Sequence, residues 1–581
     1  MFSSIFMRSF LIPALSLGLL FSATGQVAAE SAPADKGNAQ VVADTVFRNG
    51  DIHTIDTLGS RVQAVAIKDG KFIKVGSNDD MKAVTGKGTE VINLHGKMVM
   101  PGIIDTHIHA VRGGLGQLYF CQFPVESSVA QIQAAVKKCA AKKKKGEWIE
   151  GKTWDSALSK KVTAADLDKV APDNPVYLHD DTNHLGWLNT AALNAAKITK
   201  DTPDPMGGAI DHDSSGNPNG VIHDSAASLV IKVMTPPTAD ELRKSAQWIF
   251  DKLNAYGVTG AVLAQLDQGR LDAYRAMEKD GDLHIRLQGS WDFNTRYATE
   301  PIDKMAARFA TRDKRGPISD LINPDGVKIY ADGVWLGYGS PFVDMYETGE
   351  TYGRQSIDQP TMKTWVTRFD KEGLKVMIHA VGDQAVRNAL NSFAAARRAN
   401  GPDGPRHHLG HNTFVHPDDR ARAKDMNIVS EVSPVNTWYP STYSPGFVEL
   451  LGDDRVKSMV PVGELVRDGA MVTYGSDWDN VPEPNPWEGV QTLVTRSNPK
   501  KPDLGVLGPD QRVDLETALQ IVTINGAHAM ELEKVTGSIE VGKDADMIVL
   551  KKNLFKIPVE KIIDTKVERT VLKGKTVYPG K

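Results

Sequence analysis

The run Pro101-Gly102-Ile103-Ile104-Asp105-Thr106-His107-Ile108-His109 constrains this chain more than any other stretch. Side chains alternate across a β-strand, so Asp105, His107 and His109 leave one face of an extended segment together. Two imidazoles on one face, after an apolar run opened by Pro-Gly, can grip a single metal ion. One His-x-His pair is weak evidence, but the chain repeats the arrangement. Lys328, His379, His411 and Asp477 each lie in, or at the end of, an apolar strand-like segment. Chemically active groups at successive strand ends, with amphipathic helices between, are the pattern of a parallel (β/α) barrel.

The candidate barrel strands are Gly102–His109, Gly257–Leu263, His284–Gly289, Gly326–Asp332, Lys375–His379, His407–His411, Ile428–Glu431 and Met471–Gly475. Eight strands meet the count of a TIM-like barrel, placed over residues 101–529. Between the first two lie about 150 residues, far more than one helix needs. This insertion, about residues 115–245, holds strand-like pieces at Val176–Leu178 and Gly208–Ile210 and a turn at Asp213–Pro218. Leaving the C-terminal end of a barrel strand, it is expected to overhang the site as a lid. Residues 44–100 and 530–581 carry short alternating segments, with hairpin signals at Asn49-Gly50, Asp69-Gly70 and Lys573-Gly574. The expected architecture is α/β: a (β/α)8 barrel with a small β-sandwich built from both ends of the mature chain.

The formal charge of −4 over 581 residues gives no reason to expect a nucleic-acid partner. The one basic run, Lys142–Lys145, suits a solvated helix end. Arg8 is the only charge before Glu30, Phe10–Phe21 is nearly all apolar, and Val27-Ala28-Ala29 supplies small residues. Residues 1–29 therefore read as an export signal cleaved near Ala29, which predicts a periplasmic or secreted protein. The apolar stretch is short for a membrane span, so stable insertion after cleavage is not expected. Cys121 and Cys139 are the two cysteines; whether they form a disulfide stays open, and neither has metal-site spacing.

Several motifs extend the first one: Val327-Lys328-Ile329-Tyr330-Ala331-Asp332-Gly333, His379-Ala380-Val381-Gly382-Asp383, Arg406-His407 through His411, Gly475-Ser476-Asp477-Trp478, and Gly537-Ser538-Ile539 through Asp546. In this order they resemble the amidohydrolase superfamily, and within it the YtcJ-like branch that includes N-substituted formamide deformylase. The resemblance implies two divalent ions, zinc being favoured. His107, His109 and Asp477 would hold one, and His379 and His411 the other. Lys328 matches a lysine that some members carboxylate to bridge both ions; a carbamate is an anionic oxygen ligand where an ammonium would be repelled. The implied reaction is attack on a small-molecule amide or formamide-like C–N bond by a metal-bridging hydroxide, with Asp477 as general base and acid.

Trp154, His184, Asp224 and Trp335 are the candidate substrate contacts, three in the insertion and one after the Lys328 segment. Departures from the branch are Asp224 and Gly410, where glutamate is usual. Plainer readings stand beside the functional ones. Lys328 could pair with a carboxylate such as Asp332, and Asp477 could be a helix N-cap. Alternation would place His407, Leu409 and His411 on one face. A cyclic amidase of the hydantoinase kind and a deaminase are alternative activities on the same barrel. Gly382, where deaminases carry glutamate, counts against the latter. An exported binding protein on a dead barrel is the reading from outside enzymology. The substrate is open, and a homodimer is the default assembly.

Overall fold

Eight parallel strands form one sheet in sequential order: β1 (Ile103–Ile108), β2 (Val258–Leu266), β3 (Arg286–Asp292), β4 (Ile322–Tyr330), β5 (Lys375–Ala380), β6 (His408–His411), β7 (Val429–Val432) and β8 (Met471–Tyr474). The computed structural model describes residues 41–294, 301–349, 351–435 and 445–580. The export signal expected over residues 1–29 lies outside them. Among the described residues, no helix is long and apolar enough to cross a membrane.

β1 and β8 meet through side chains and loops. Thr106 Oγ1 lies 2.9 Å from both Thr473 Oγ1 and the Tyr474 carbonyl. Beyond the strand ends, the Asp477 N–H donates to the His107 carbonyl at 2.8 Å and the His109 N–H to the Trp478 carbonyl at 2.5 Å. These bonds carry the sheet into a nearly closed barrel and bring its first and last strand ends together. Most strand residues are buried on both faces, as a barrel wrapped by helices requires. β4 starts four residues before the expected segment and ends at Tyr330, which leaves Asp332 in the loop after it.

The insertion between β1 and β2 has its own mixed sheet, ordered Gly208–His212, Pro218–Asp224, Leu185–Leu188, Val176–Asp180, Ile149–Trp154, Cys121–Gln122. Its core gathers Trp154, Trp187, Ile132, Val176 and Leu178. A Cys121–Cys139 disulfide joins its last strand to the helix Val129–Ala140. The return to the barrel is the helix Ala239–Ala255, opened by a Thr238/Glu241 capping box.

Two further sheets involve the chain ends. One holds Lys71–Gly76, Ala64–Lys68, Thr45–Arg48 and Glu90–Asn93. The other pairs Met98–Pro101 with Asp51–His53 on one side and Met547–Leu550 on the other. Asp69-Gly70 and Lys573-Gly574 turn as two-residue hairpins with positive φ at both positions. Asn49-Gly50 does not. The strands on either side of it belong to different sheets, and the dipeptide is the crossover between them. A Cβ at Gly50 would press on the side chains of Leu94 and Ile52, so the crossing is closely packed there.

Candidate metal centre

At the C-terminal mouth of the barrel, one ligand atom each from His107, His411 and Asp477 lie within 4.8 Å of one another, and all three residues are buried. β1 supplies His107 and β6 supplies His411. Asp477 stands three residues past β8. The His107 and His411 rings are 4.5 Å apart, and those of His411 and His379 4.4 Å. His109 Nε2 is 3.4 Å from Asp477 Oδ1, against 3.7 Å for His107 Nε2.

The compact group thus draws on both ligand sets expected from the sequence. His411 joins His107 and Asp477, whereas His379 Nε2 donates to the Gly333 carbonyl at 3.1 Å. The backbone explains the swing. His411 has φ of +71° and Asp477 of +53°, left-handed conformations that cost about 1–3 kcal/mol for such residues. At φ +71° strand alternation fails, so His411 turns into the mouth. His407 points away, its Nε2 2.8 Å from Asp370 and its ring stacked on Phe393. The expected shared face of His407 and His411 is therefore wrong. Each strained residue is held by its own N–H, that of His411 on Glu431 Oε2 at 2.8 Å and that of Asp477 on the His107 carbonyl.

Burial sets the protonation of the donors. It pushes His109 down to about 3 and, with Lys328 adding to His379 and His379 to His411, holds both of those rings well below the usual imidazole range. Asp477 is held well below the usual carboxylate range: burial opposes this, but the hydrogen bond from His109 and the adjoining His411 and His107 rings prevail. Imidazole nitrogens beside a carboxylate held in its ionised form are a donor set that fits a divalent cation.

Lys328, fully buried in β4, does not pair with Asp332. Its Nζ lies 3.0 Å from His107 Nε2, and burial lowers its ammonium to about 8. Asp332 is turned instead to the N–H groups of Val381 and Gly382, at 2.8 to 3.1 Å, and burial raises its carboxyl well above the usual range. Asp105 likewise stays with the backbone, accepting from His107 and Ser476.

Two insertion residues reach the mouth. His184 Nδ1 is 2.6 Å from Asp224 Oδ1, and the His184 ring lies 5.6 Å from that of His379. Despite its shorter side chain, Asp224 makes this contact because its own N–H is fixed on the His184 carbonyl. Trp154 is a correction. It is wholly buried in the insertion, donates Nε1–H to the Leu178 carbonyl at 3.0 Å and packs edge-on against Trp187, so it fills that core instead of contacting substrate. Trp335 packs edge-on against Phe447 and Phe414; those contacts are its visible role.

Sequence reasoning missed Glu431. Its Oε2 takes the His107 Nδ1–H at 2.8 Å, which fixes the ring with Nε2 toward the site. A Cβ at Gly410 would stand 3.1 Å from the Ile378 carbonyl oxygen, and 3.5 Å from Glu431 Oε2 and 3.6 Å from His107 Cε1, at ordinary contact distance. The signal was one acidic residue inside the apolar segment Ile428–Val432.

Comparison with known proteins places the chain among its relatives. The chain is 30% identical over 551 residues to the Protein LONG AFTER FAR-RED 3 of Arabidopsis thaliana, covering 93% of this chain and 92% of that one. It is 26% identical over 547 residues to the N-substituted formamide deformylase of Arthrobacter pascens, covering 92% and 98%. A solved metal-dependent hydrolase of Pyrococcus horikoshii, otherwise uncharacterized, superposes with a TM-score of 0.71 at 23% identity, over 89% of this chain and 99% of that one. The family model described as "Amidohydrolase family" matches residues 90–578, a span that contains every strand of the barrel and every group in its mouth. With that match, the chain belongs to the amidohydrolase family of metal-dependent hydrolases.

Proposed function

We propose that this enzyme hydrolyses a C–N bond in an amide or formamide-like small molecule, with Asp477 as general base and acid. The observation that carries the reading is the convergence of His107, His411 and Asp477 within 4.8 Å in a buried barrel mouth. These three would hold a divalent ion, zinc by the nitrogen and oxygen character of the donors. His109 adjoins this group through Asp477 Oδ1 at 3.4 Å, and His379 through the His411 ring at 4.4 Å. Bound there, the cation supplies Lewis acidity, making water a stronger acid and a carbonyl carbon more electrophilic. Asp477, held ionised, takes the proton from the attacking water and returns it to the leaving amine. His184, steadied by Asp224, faces the mouth from the insertion and contacts substrate. The insertion itself acts as a lid.

Lys328 is read as the carboxylated bridging residue. As a free amine it competes for the His107 lone pair at 3.0 Å, and an ammonium lowered to about 8 has the neutral fraction that carbamate formation requires. The likeness to the Arthrobacter deformylase supports an N-substituted amide or formamide as substrate class. The Cys121–Cys139 disulfide and the apolar segment Phe10–Phe21 support export to an oxidising compartment. The test is a screen of purified enzyme over N-formyl, N-acyl and cyclic amides. Release of acid and amine is expected. Ammonia release from aminated heterocycles, with no amide turned over, would replace this reading with deamination.

A further inference from the structure

We infer that Asn480 is a positioning residue for Asp477, held in place by Asn183 of the insertion and by Arg112. The inference rests on the role proposed above for Asp477. Asn480 Nδ2 donates to Asp477 Oδ2 at 2.9 Å, and the Asn480 N–H donates to the Asp477 carbonyl at 2.8 Å. A side-chain amide could turn either way, but here its orientation is decided from behind. Arg112 Nη2 lies 3.0 Å from Asn480 Oδ1, and a guanidinium only donates. Asn183 Nδ2 donates to the same oxygen at 2.6 Å. With Oδ1 taken twice, the amide NH2 must face Asp477.

Arg112 is itself fixed. Its Nη2 contacts Asp479 Oδ1 at 2.5 Å, and Lys152, from the insertion strand Ile149–Trp154, pairs with the other Asp479 oxygen. Lys152, Asn183 and Asp479 are each at most 5% exposed, while Arg112 and Asn480 at the edge of the network are half-buried. One consequence follows for Asp477. Its Oδ2 is engaged, while its Oδ1 is turned toward His109 and His107 at 3.4 and 3.7 Å. Asn183 adjoins His184, whose ring faces His379, so one insertion loop supports both sides of the mouth. The insertion is thus part of the machinery that aims the general base, besides covering it.

Asn480→Asp tests this, because it replaces the donating NH2 by a carboxylate oxygen that repels Asp477 Oδ2 while leaving an acceptor for Arg112 and Asn183. Loss of a partner that orients a metal ligand costs about 10- to 100-fold in metal affinity or activity. We expect kcat to fall in that range with KM little changed. Chelator competition should show weaker zinc retention, and the melting transition should stay cooperative. Asn183→Ala, which removes one of two restraints, should move both readouts the same way by a smaller factor. Wild-type kcat and zinc retention in Asn480→Asp, beside an inactive Asp477→Asn, would overturn the inference and leave the role of Asp477 standing. Full activity in Asp477→Asn would overturn that underlying role instead. If Asn480→Asp does not fold, Asn183→Ala decides, and wild-type values there reject the inference.

Discussion

Glu431 Oε2 accepts from His107 Nδ1 at 2.8 Å, and the same oxygen accepts the N–H of His411 at 2.8 Å. One side chain on β7 therefore sets the tautomer of the β1 histidine and holds the strained backbone of the β6 histidine. Its other oxygen takes the Ser433 hydroxyl at 2.9 Å. Glu431→Gln can keep all three contacts with its oxygen toward the histidines and its NH2 toward Ser433, while removing the acidic group. Metal affinity or activity is expected to fall about 10- to 100-fold with little change in melting temperature. Unchanged zinc retention and unchanged kcat would show that His107 needs no such partner.

Asp477→Asn keeps the shape of the side chain but cannot take a proton from water. It should retain the fold and lose most turnover, read as kcat beside a circular-dichroism melt. Near-normal activity would reject the general-base role.

Gly475 lies where Glu431 and His107 come closest to the backbone after β8, and a Cβ there would run into both. Gly475→Ala is expected to destabilise by about 1–3 kcal/mol through overpacking and to weaken metal binding together with it. A denaturation midpoint equal to that of the parent would show that the two side chains can yield.

His408 points into the barrel floor, its Nε2 3.1 Å from the Ala529 carbonyl, and burial, aided by Lys375, lowers it to about 3. An imidazole kept neutral when folded but free to protonate when unfolded contributes stability above about pH 6.5. That contribution is lost as pH falls from there toward 3, because the unfolded chain binds the extra proton. His408→Gln should flatten the pH dependence of unfolding free energy between about pH 6.5 and 5 by a slope that rises toward a limit of about 1.4 kcal/mol per pH unit. Equal slopes in parent and variant would contradict this.

Much of the fold was legible because period-two alternation and strand-end chemistry survive in single segments. β1 (Ile103–Ile108) and β5 (Lys375–Ala380) end within one residue of the expected Gly102–His109 and Lys375–His379, and the Asp69-Gly70 turn carries its own conformational signature. Asn49-Gly50 misled because the same dipeptide that closes hairpins also permits a crossing between sheets, and which it makes is set by the distant partners of the strands on either side. The candidate site was legible as residue types and not as a grouping. His411 leaves the alternation at φ +71°, and Asp332 leaves Lys328 for two backbone N–H groups. Neither choice has a local sequence signal. Glu431 acts on residues distant in the chain, and Asn480, three residues from Asp477, is aimed by the distant Arg112 and Asn183, so nothing near either in sequence marks its role. Trp154 resembles a mouth residue by motif, yet the bonding of its ring places it in the insertion core.

Metal content tests the central claim most directly. Elemental analysis of the protein purified with zinc present, then dialysed, should find one to two divalent ions per chain. His107→Ala, His411→Ala and Asp477→Asn should each lower that number while remaining folded. Parent protein that retains no divalent metal, or variants that retain as much as the parent, would contradict the account.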